Sequence, residues 1–354
     1  MNVAERAMNP FAAYLAQAAA LVEAELDAIF VEEKARLDAQ TPELASLFEQ
    51  VRALTSRGGK RLRAALVLLG YRAFGGEGER AALPAASAME FLQSYFLIHD
   101  DWIDDDPVRR GGPSVHIALR ERYASARLGD AGAVLAGDYA VSLAQQSLLR
   151  CSGAQVAAAA RAFADLQRDV VLGQCLDVLV NDAVPFSALM QRTHLLKTAA
   201  YTTTGPLLVG ATLAGASDTQ CAALRAFADP AGVAFQLRDD WLGTFGDPTR
   251  TGKQNDSDLR EGKQTAVLAT LEHDPAHHDV LRAFLRGGAA RERSAEEIAS
   301  MRALLERADA SAQVNAWIAE HVANARAALT RLDLSSELVA LLEGMLVMIA
   351  ERQA

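Results

Sequence analysis

The chain is poor in cysteine and aromatic residues, and it has neither a long apolar run nor a sustained basic stretch. Cys151, Cys175 and Cys221 are the only cysteines among 354 residues. Their number is odd and their spacing fits no metal-ligand pattern, which argues against a disulfide framework or a zinc site, and the thiols are expected to be buried or idle in a reducing cytosol. No window holds 18 uninterrupted apolar residues, which excludes a transmembrane helix. The apolar stretch at residues 11–26 is accompanied by Glu5, Glu23 and Glu25 with no basic segment before it, so a secretion signal is not expected. A formal net charge of −10 without a basic face argues against a nucleic-acid partner. No Pro/Gly/Ser-rich linker divides the sequence, and one domain spanning residues 1–354 is expected.

Helical periodicity fills most of what remains. Apolar residues return every three or four positions in Ala64 to Phe74, Leu83 to Ile103, Ala154 to Leu179 and Ala295 to Leu305, whereas strand-like alternation is scarce. Ser294 with Glu297 reads as a capping box, Thr41 with Pro42 as a helix start, and Gly58-Gly59, Gly75-Gly76 and Gly111-Gly112 as breaks. Hydrophobic residues make up 51% of the chain and aromatics 6%, consistent with a single large all-α helical bundle. Residues 270–354 carry no chemical motif and read as closing helices.

The chemistry concentrates in two near-identical stretches. Phe96-Leu97-Ile98-His99-Asp100-Asp101-Trp102-Ile103-Asp104 and Phe235-Gln236-Leu237-Arg238-Asp239-Asp240-Trp241-Leu242-Gly243 each run from an apolar helical segment into adjacent aspartates. Five of the seven residues from Asp100 to Asp106 are aspartate, a charge density that calls for cations. Asp100 and Asp104 stand at i and i+4 on one helical face with Asp101 alongside, and Asp239 and Asp240 end a similar helix. Two facing helices of this kind would present a carboxylate cage in the bundle core, the hard-oxygen environment that Mg²⁺ shares with phosphate oxygens. A solvated charge run is the bland alternative; the near-repeat counts against it.

Cations accompany the aspartates. Gly58-Gly59-Lys60-Arg61-Leu62-Arg63 opens a predicted helix and suits a diphosphate, and Arg109-Arg110-Gly111-Gly112 offers two guanidiniums that can address different anions. Lys197-Thr198, Lys253 and Lys263 add charge beside the second motif.

Taken together, Gly-Gly-Lys-Arg-Leu-Arg at 58–63, Gln93, Asp-Asp-Trp-Ile-Asp at 100–104, Arg109-Arg110-Gly111, Lys197-Thr198, Phe235-Gln236 with Asp239-Asp240, and Gly252-Lys253 with Asp258-Leu259 and Gly262-Lys263 resemble the trans-isoprenyl diphosphate synthases, or polyprenyl synthetases. The resemblance implies an all-α bundle with a central cavity, the isoprenoid synthase fold. It also implies Mg²⁺-dependent 1′-4 condensation of isopentenyl diphosphate with an allylic diphosphate (dimethylallyl, geranyl or farnesyl). Asp100, Asp104 and Asp239 would bind three Mg²⁺ ions, supported by Asp101 and Asp240. Arg109, Lys197, Lys253 and Lys263 would grip the allylic diphosphate, and Lys60, Arg63, Gln93 and Arg110 would hold isopentenyl diphosphate. Thr198 and Gln236 would line the reacting carbons, and a homodimer is implied. Two departures stand out: Gly243 occupies the place of a third aspartate common in the second motif, and Asp256 that of a common glycine.

Product length would be set on the helix preceding Asp100, where Phe96 is i−4, Tyr95 i−5 and Leu92 i−8. Two adjacent aromatics there look like a floor, which ranks a C15 product above C20. A class I terpene cyclase shares the first aspartate motif but needs no second diphosphate pocket. A non-catalytic subunit of a heteromeric synthase would be expected to have lost part of the aspartate or lysine set.

Overall fold

A computed structural model of the chain describes residues 9–179, 186–247, 256–288 and 291–352. It consists of helices α1 (Pro10–Gln40), α2 (Ala45–Ser56), α3 (Leu62–Ala73), α4 (Leu83–Ile103), α5 (Val115–Tyr123), α6 (Ala126–Leu148), α7 (Val156–Leu179), α8 (Ser187–Thr193), α9 (Gly205–Leu213), α10 (Asp218–Phe245), α11 (Ser257–Glu261), α12 (Ala266–Ala269), α13 (His278–Leu285), α14 (Ala295–Arg307), α15 (Ala310–Leu329) and α16 (Ser336–Ala350). Among the described residues the strands are limited to β1 (Val108–Arg109) and β2 (Gly112–Pro113), paired antiparallel. No helix of the described residues is long and apolar enough to cross a membrane.

The periodic segments become helices close to where the sequence places them. The apolar pattern from Leu83 to Ile103 is α4 without a residue's difference, opened by Pro84 in its first turn. The Ser294–Glu297 capping box closes reciprocally at the start of α14, satisfying donors that the first helical turn leaves open. Thr41 precedes a short 3₁₀ turn, Pro42–Leu44, without a side-chain cap. The glycine breaks are true left-handed points: Gly58, Gly59, Gly75 and Gly111 have φ of 60°, 113°, 88° and 72°.

Packing groups the chain into two compact units. One comprises residues 13–162 and 206–217. Its core includes Val51, Leu54, Ile98, Val115, Leu119, Ala133, Ala136 and Ala140, with Tyr95, Leu97 and Tyr139 packed against them. In this unit α3 and α9 touch backbone to backbone: a Cβ on Gly70 would lie 3.0 Å from Leu207 Cα, and one on Gly210 would lie 2.7 Å from the Tyr71 nitrogen. The other unit comprises residues 1–12, 163–205 and 218–354. There α10 packs along α15 and against a π-helical segment, His194–Thr204.

The π segment is not foreseen by the 3.6-residue pattern. It runs into Gly205-Pro206, and a proline has no N–H to continue the helical ladder. A Cβ at Gly205 would also meet Leu166 at 2.6 Å. Wide turns of this kind recur at functional sites, and this one carries Lys197 and Thr198.

Candidate active site

The first aspartate motif forms the C-terminal end of α4. Asp104 is the C-cap and its N–H donates to the Asp100 carbonyl at 2.9 Å, so both residues keep helical spacing and their carboxylates rise from one face. A helix C-terminus carries partial negative charge, yet α4 has no basic residue in its last turn. Asp101 differs from its neighbours. It is fully buried, and it accepts a 2.6 Å bond from Arg109 Nε. Burial pushes its carboxyl up to about 6, against the pull of the Arg109 guanidinium. Arg109 also reaches Asp106 at 2.9 Å.

The β1–β2 hairpin explains how adjacent arginines serve different places. Its two-residue turn, Arg110-Gly111, has positive φ at both positions, 52° and 72°, which tightens the hairpin. Arg109 turns to Asp101. Arg110 donates instead to the carbonyls of Leu54 at 3.3 Å and Gly58 at 3.4 Å. A Cβ on Gly59 would lie 3.5 Å from Arg110 Nη2, so the glycine loop and this guanidinium are neighbours. Arg63 on α3 donates to Gln93 on α4 at 3.1 Å. Lys60 lies exposed at the tip of the loop. Arg110, Arg63, Gln93 and the glycine loop thus gather around the start of α3.

Arg61, between Lys60 and Arg63, plays a different part. It takes the left-handed N-cap position of α3 with φ 51°, is 4% exposed, and pairs with buried Glu90 at 2.8 Å. Glu23 stands 3.5 Å from its Nε. This buried pair anchors the loop, while Lys60 is exposed and Arg63 half-buried against Gln93.

In the other unit the second motif lines a cavity of about 330 Å³ together with Lys197, Thr198, Gln236, Lys263, His194, Asp177, Asp258 and Arg352. Asp239 and Asp240 lie in the last two turns of α10, which likewise ends without a basic residue. Asp240 is 5% exposed and holds a polar chain together: Thr198 donates to Gln236 at 2.7 Å, Gln236 donates to Asp240 at 2.7 Å, and the Ala266 N–H donates to its other oxygen at 2.7 Å. His194 approaches the same oxygen at 3.3 Å. Asp101 and Asp240 are therefore committed to neighbouring protein groups. Asp239 projects from the rim, paired with Arg352 at 2.5 Å.

Several of these partners carry no signal in the motifs. Arg352 follows α16 in the stretch read only as closing helices; it also stacks over Phe235 at 4.8 Å, while Arg238 holds the Ala350 carbonyl at 2.5 Å. Asp177 pairs with Lys197 at 2.5 Å. One turn earlier, Gly173 lets α7 approach the π segment, since a Cβ there would fall 2.8 Å from Lys197 Cα. A lone glycine inside an otherwise helical pattern was the available clue. Lys263 pairs with Glu261 at 2.5 Å. Lys253 lies outside the described residues.

Asp256, standing where glycine is common, adopts φ 70° as the N-cap of α11 and pairs with Arg302. Aspartate tolerates the left-handed region better than most residues, and the ion pair holds it there. Leu92 is fully buried, and Tyr95 and Phe96 are half-buried with ring centroids 4.9 Å apart.

Both motifs fit Mg²⁺ by the chemistry of their donors. Each offers hard carboxylate oxygens at the negative end of a helix that no side-chain cation in its last turn offsets.

Comparison with known proteins agrees with this geometry. The family model described as polyprenyl synthetase matches residues 45–303. A (2E,6E)-farnesyl diphosphate synthase of Mycobacterium bovis is 37% identical over 230 residues, covering 64% of this chain and 60% of that protein. A geranylgeranyl diphosphate synthase of Sulfolobus acidocaldarius is 33% identical over 235 residues, covering 65% of this chain and 68% of its own length. The crystal structure of a geranylgeranyl pyrophosphate synthase from Corynebacterium glutamicum, complexed with isoprenyl diphosphate and magnesium, superposes with a TM-score of 0.82 at 31% identity, over 96% of this chain and 98% of that one. The match thus spans about three-fifths of the mycobacterial relative but nearly all of the corynebacterial structure. On residue pattern, fold and extent of match, the chain belongs to the polyprenyl synthetase family.

Proposed function

We propose that this chain is a Mg²⁺-dependent prenyltransferase that condenses isopentenyl diphosphate with an allylic diphosphate by 1′-4 addition, releasing diphosphate and a short all-trans prenyl diphosphate. The observation that carries the reading is the pair of aspartate-rich helix ends, each without a basic residue in its last turn. The likeness to farnesyl and geranylgeranyl diphosphate synthases supports it.

In this reading Asp100, Asp104 and Asp239 would hold three Mg²⁺ ions, supported by buried Asp101 and Asp240. Mg²⁺, when bound, neutralises charge developing on the departing diphosphate. Arg109, Lys197, Lys253 and Lys263 grip that diphosphate and favour ionisation of the allylic C–O bond. Lys60, Arg63, Gln93 and Arg110 hold isopentenyl diphosphate so that its double bond attacks the allylic cation. The Thr198–Gln236 pair turns fixed oxygen dipoles toward the carbons that carry positive charge. A proton then leaves to the released diphosphate.

Tyr95 and Phe96 form the floor that stops growth, placing C15 before C20. The enzyme works as a single-domain homodimer in the cytoplasm.

The test is diphosphate release measured with an allylic diphosphate alone and then with isopentenyl diphosphate added. Release that requires both substrates is expected. Release from the allylic substrate alone would indicate a terpene cyclase, and no release under either condition would indicate a non-catalytic subunit.

A further inference from the structure

The unit that carries the second aspartate motif contains another cavity, of about 600 Å³. It borders a different face of α10: Val233 and Leu237 line it, whereas Gln236, Asp239 and Gly243 line the cavity described above. Trp317 and His321 of α15 form part of the wall, and His194 belongs to the linings of both cavities.

Two features of the lining decide what it can take. The first is charge. None of the described residues around this cavity is a lysine or arginine, in contrast with Lys197, Lys263 and Arg352 around the other. Of its two carboxylates, Glu272 already accepts the N–H groups of Phe186 and, at 3.0 Å, of Ser187, and Glu320 is exposed to solvent. A diphosphate finds no counter-charge there, while Val233, Leu237 and Trp317 suit an apolar body. The second feature is a pair of buried imidazole nitrogens. Nδ1 of His194 and Nδ1 of His321 have no hydrogen-bond partner among the described residues. His194 is 6% exposed, and its other nitrogen faces the Asp240 carboxylate at 3.3 Å. Burial lowers the His321 pKa, with Glu320 opposing and His194 reinforcing the shift. A buried ring nitrogen without a partner has lost its hydration uncompensated. A hydroxyl compensates it in either protonation state of the ring, because a hydroxyl both donates and accepts.

We infer that this cavity is a second ligand site, for a neutral and largely apolar molecule carrying a hydroxyl group, with the hydroxyl on His194 Nδ1 and the body against Val233, Leu237 and Trp317. The site takes no part in the proposed prenyl transfer and is assigned independently of it.

Calorimetry on the full chain, without substrates, compares 1-naphthol with naphthalene, which lacks the hydroxyl, and with 1-naphthyl phosphate, which is anionic. 1-Naphthol should bind about tenfold more tightly than naphthalene, the worth of one hydrogen bond to a buried acceptor, and the phosphate more weakly than either. His194→Leu should bring 1-naphthol down to the affinity of naphthalene. Val233→Phe fills the cavity, and Gln191→Trp narrows it from an exposed position on its rim; each should weaken 1-naphthol at least about tenfold. Leu176→Trp fills only the cavity beside Asp239 and should leave 1-naphthol binding unchanged. Thermal melting shows which variants fold, and the exposed Gln191 substitution keeps the test in force if Val233→Phe does not. Absence of 1-naphthol binding, equal affinity for 1-naphthol and naphthalene, or loss of binding in folded Leu176→Trp but not in Gln191→Trp overturns the inference.

Discussion

Removing the Glu90 carboxylate should cost more than truncating exposed Lys60 beside it. Arg61 and Glu90 are paired at 2.8 Å with side chains only 2% and 3% exposed, so Glu90→Ala leaves a guanidinium buried with Glu23 as a distant partner at 3.5 Å. Stranding a buried charge in this way costs about 3–5 kcal/mol. With an unfolding entropy of about 2.1 cal/mol/K per residue over the whole chain, this lowers Tm by roughly 4–7 °C if the chain melts as one unit. Arg61 also sets the left-handed start of α3, so the loop carrying Lys60 and Arg63 loosens and KM for isopentenyl diphosphate should rise. Calorimetry and steady-state kinetics on Glu90→Ala, Arg61→Ala and the double replacement by Met and Leu complete the measurement. The double apolar variant should lie well above either single variant in Tm, because it leaves no unpaired charge. Single variants that melt within 1 °C of the parent would refute the reasoning, as would a double variant that loses the sum of both.

Three further outcomes follow from the packing and the polar chain. Gly70→Ala should destabilise by about 1–3 kcal/mol in urea titrations because of the close approach to Leu207; helix propensity alone predicts a gain of up to about 1 kcal/mol, so a gain would contradict the described α3–α9 contact. Thr198→Val removes the donor to Gln236, leaving a polar atom short of a partner at a stability cost of about 1–3 kcal/mol. It should lower kcat more than it alters KM for either substrate, and an unchanged kcat would detach the Thr198–Gln236 pair from the reaction. Phe96→Ala should lengthen the product by at least one five-carbon unit; the same chain lengths from parent and variant would remove Phe96 from the floor.

Helix positions were legible because burial repeats with the helical period: Leu83 to Ile103 alternates faces over five turns, and α4 occupies that range. The aspartate motifs were legible because i, i+4 spacing fixes side-chain direction without tertiary information. What the pattern could not carry is pairing between distant segments. Nothing near Arg352 marks it as the partner of Asp239, 113 positions earlier. Gly243 reads only as a missing carboxylate, although the Asp258 side chain lies against it, since a glycine records only that something comes close and not what it is. The π segment was hidden for a related reason. Its apolar residues satisfy a 3.6-residue reading, and the wider turn arises where Gly205-Pro206 interrupts the hydrogen-bond ladder. Asp101 and Asp240 show the same limit: within their motifs they look identical to their neighbours, and only burial and hydrogen bonding separate these two from the half-buried or exposed aspartates beside them.

The most direct test is chromatography of dephosphorylated products after the protein is incubated with Mg²⁺, labelled isopentenyl diphosphate and, separately, C5, C10 and C15 allylic diphosphates. Labelled alcohols that are five or more carbons longer than the starter and end at C15 or C20 are the predicted result. An absence of labelled elongated alcohol with every starter would contradict the account.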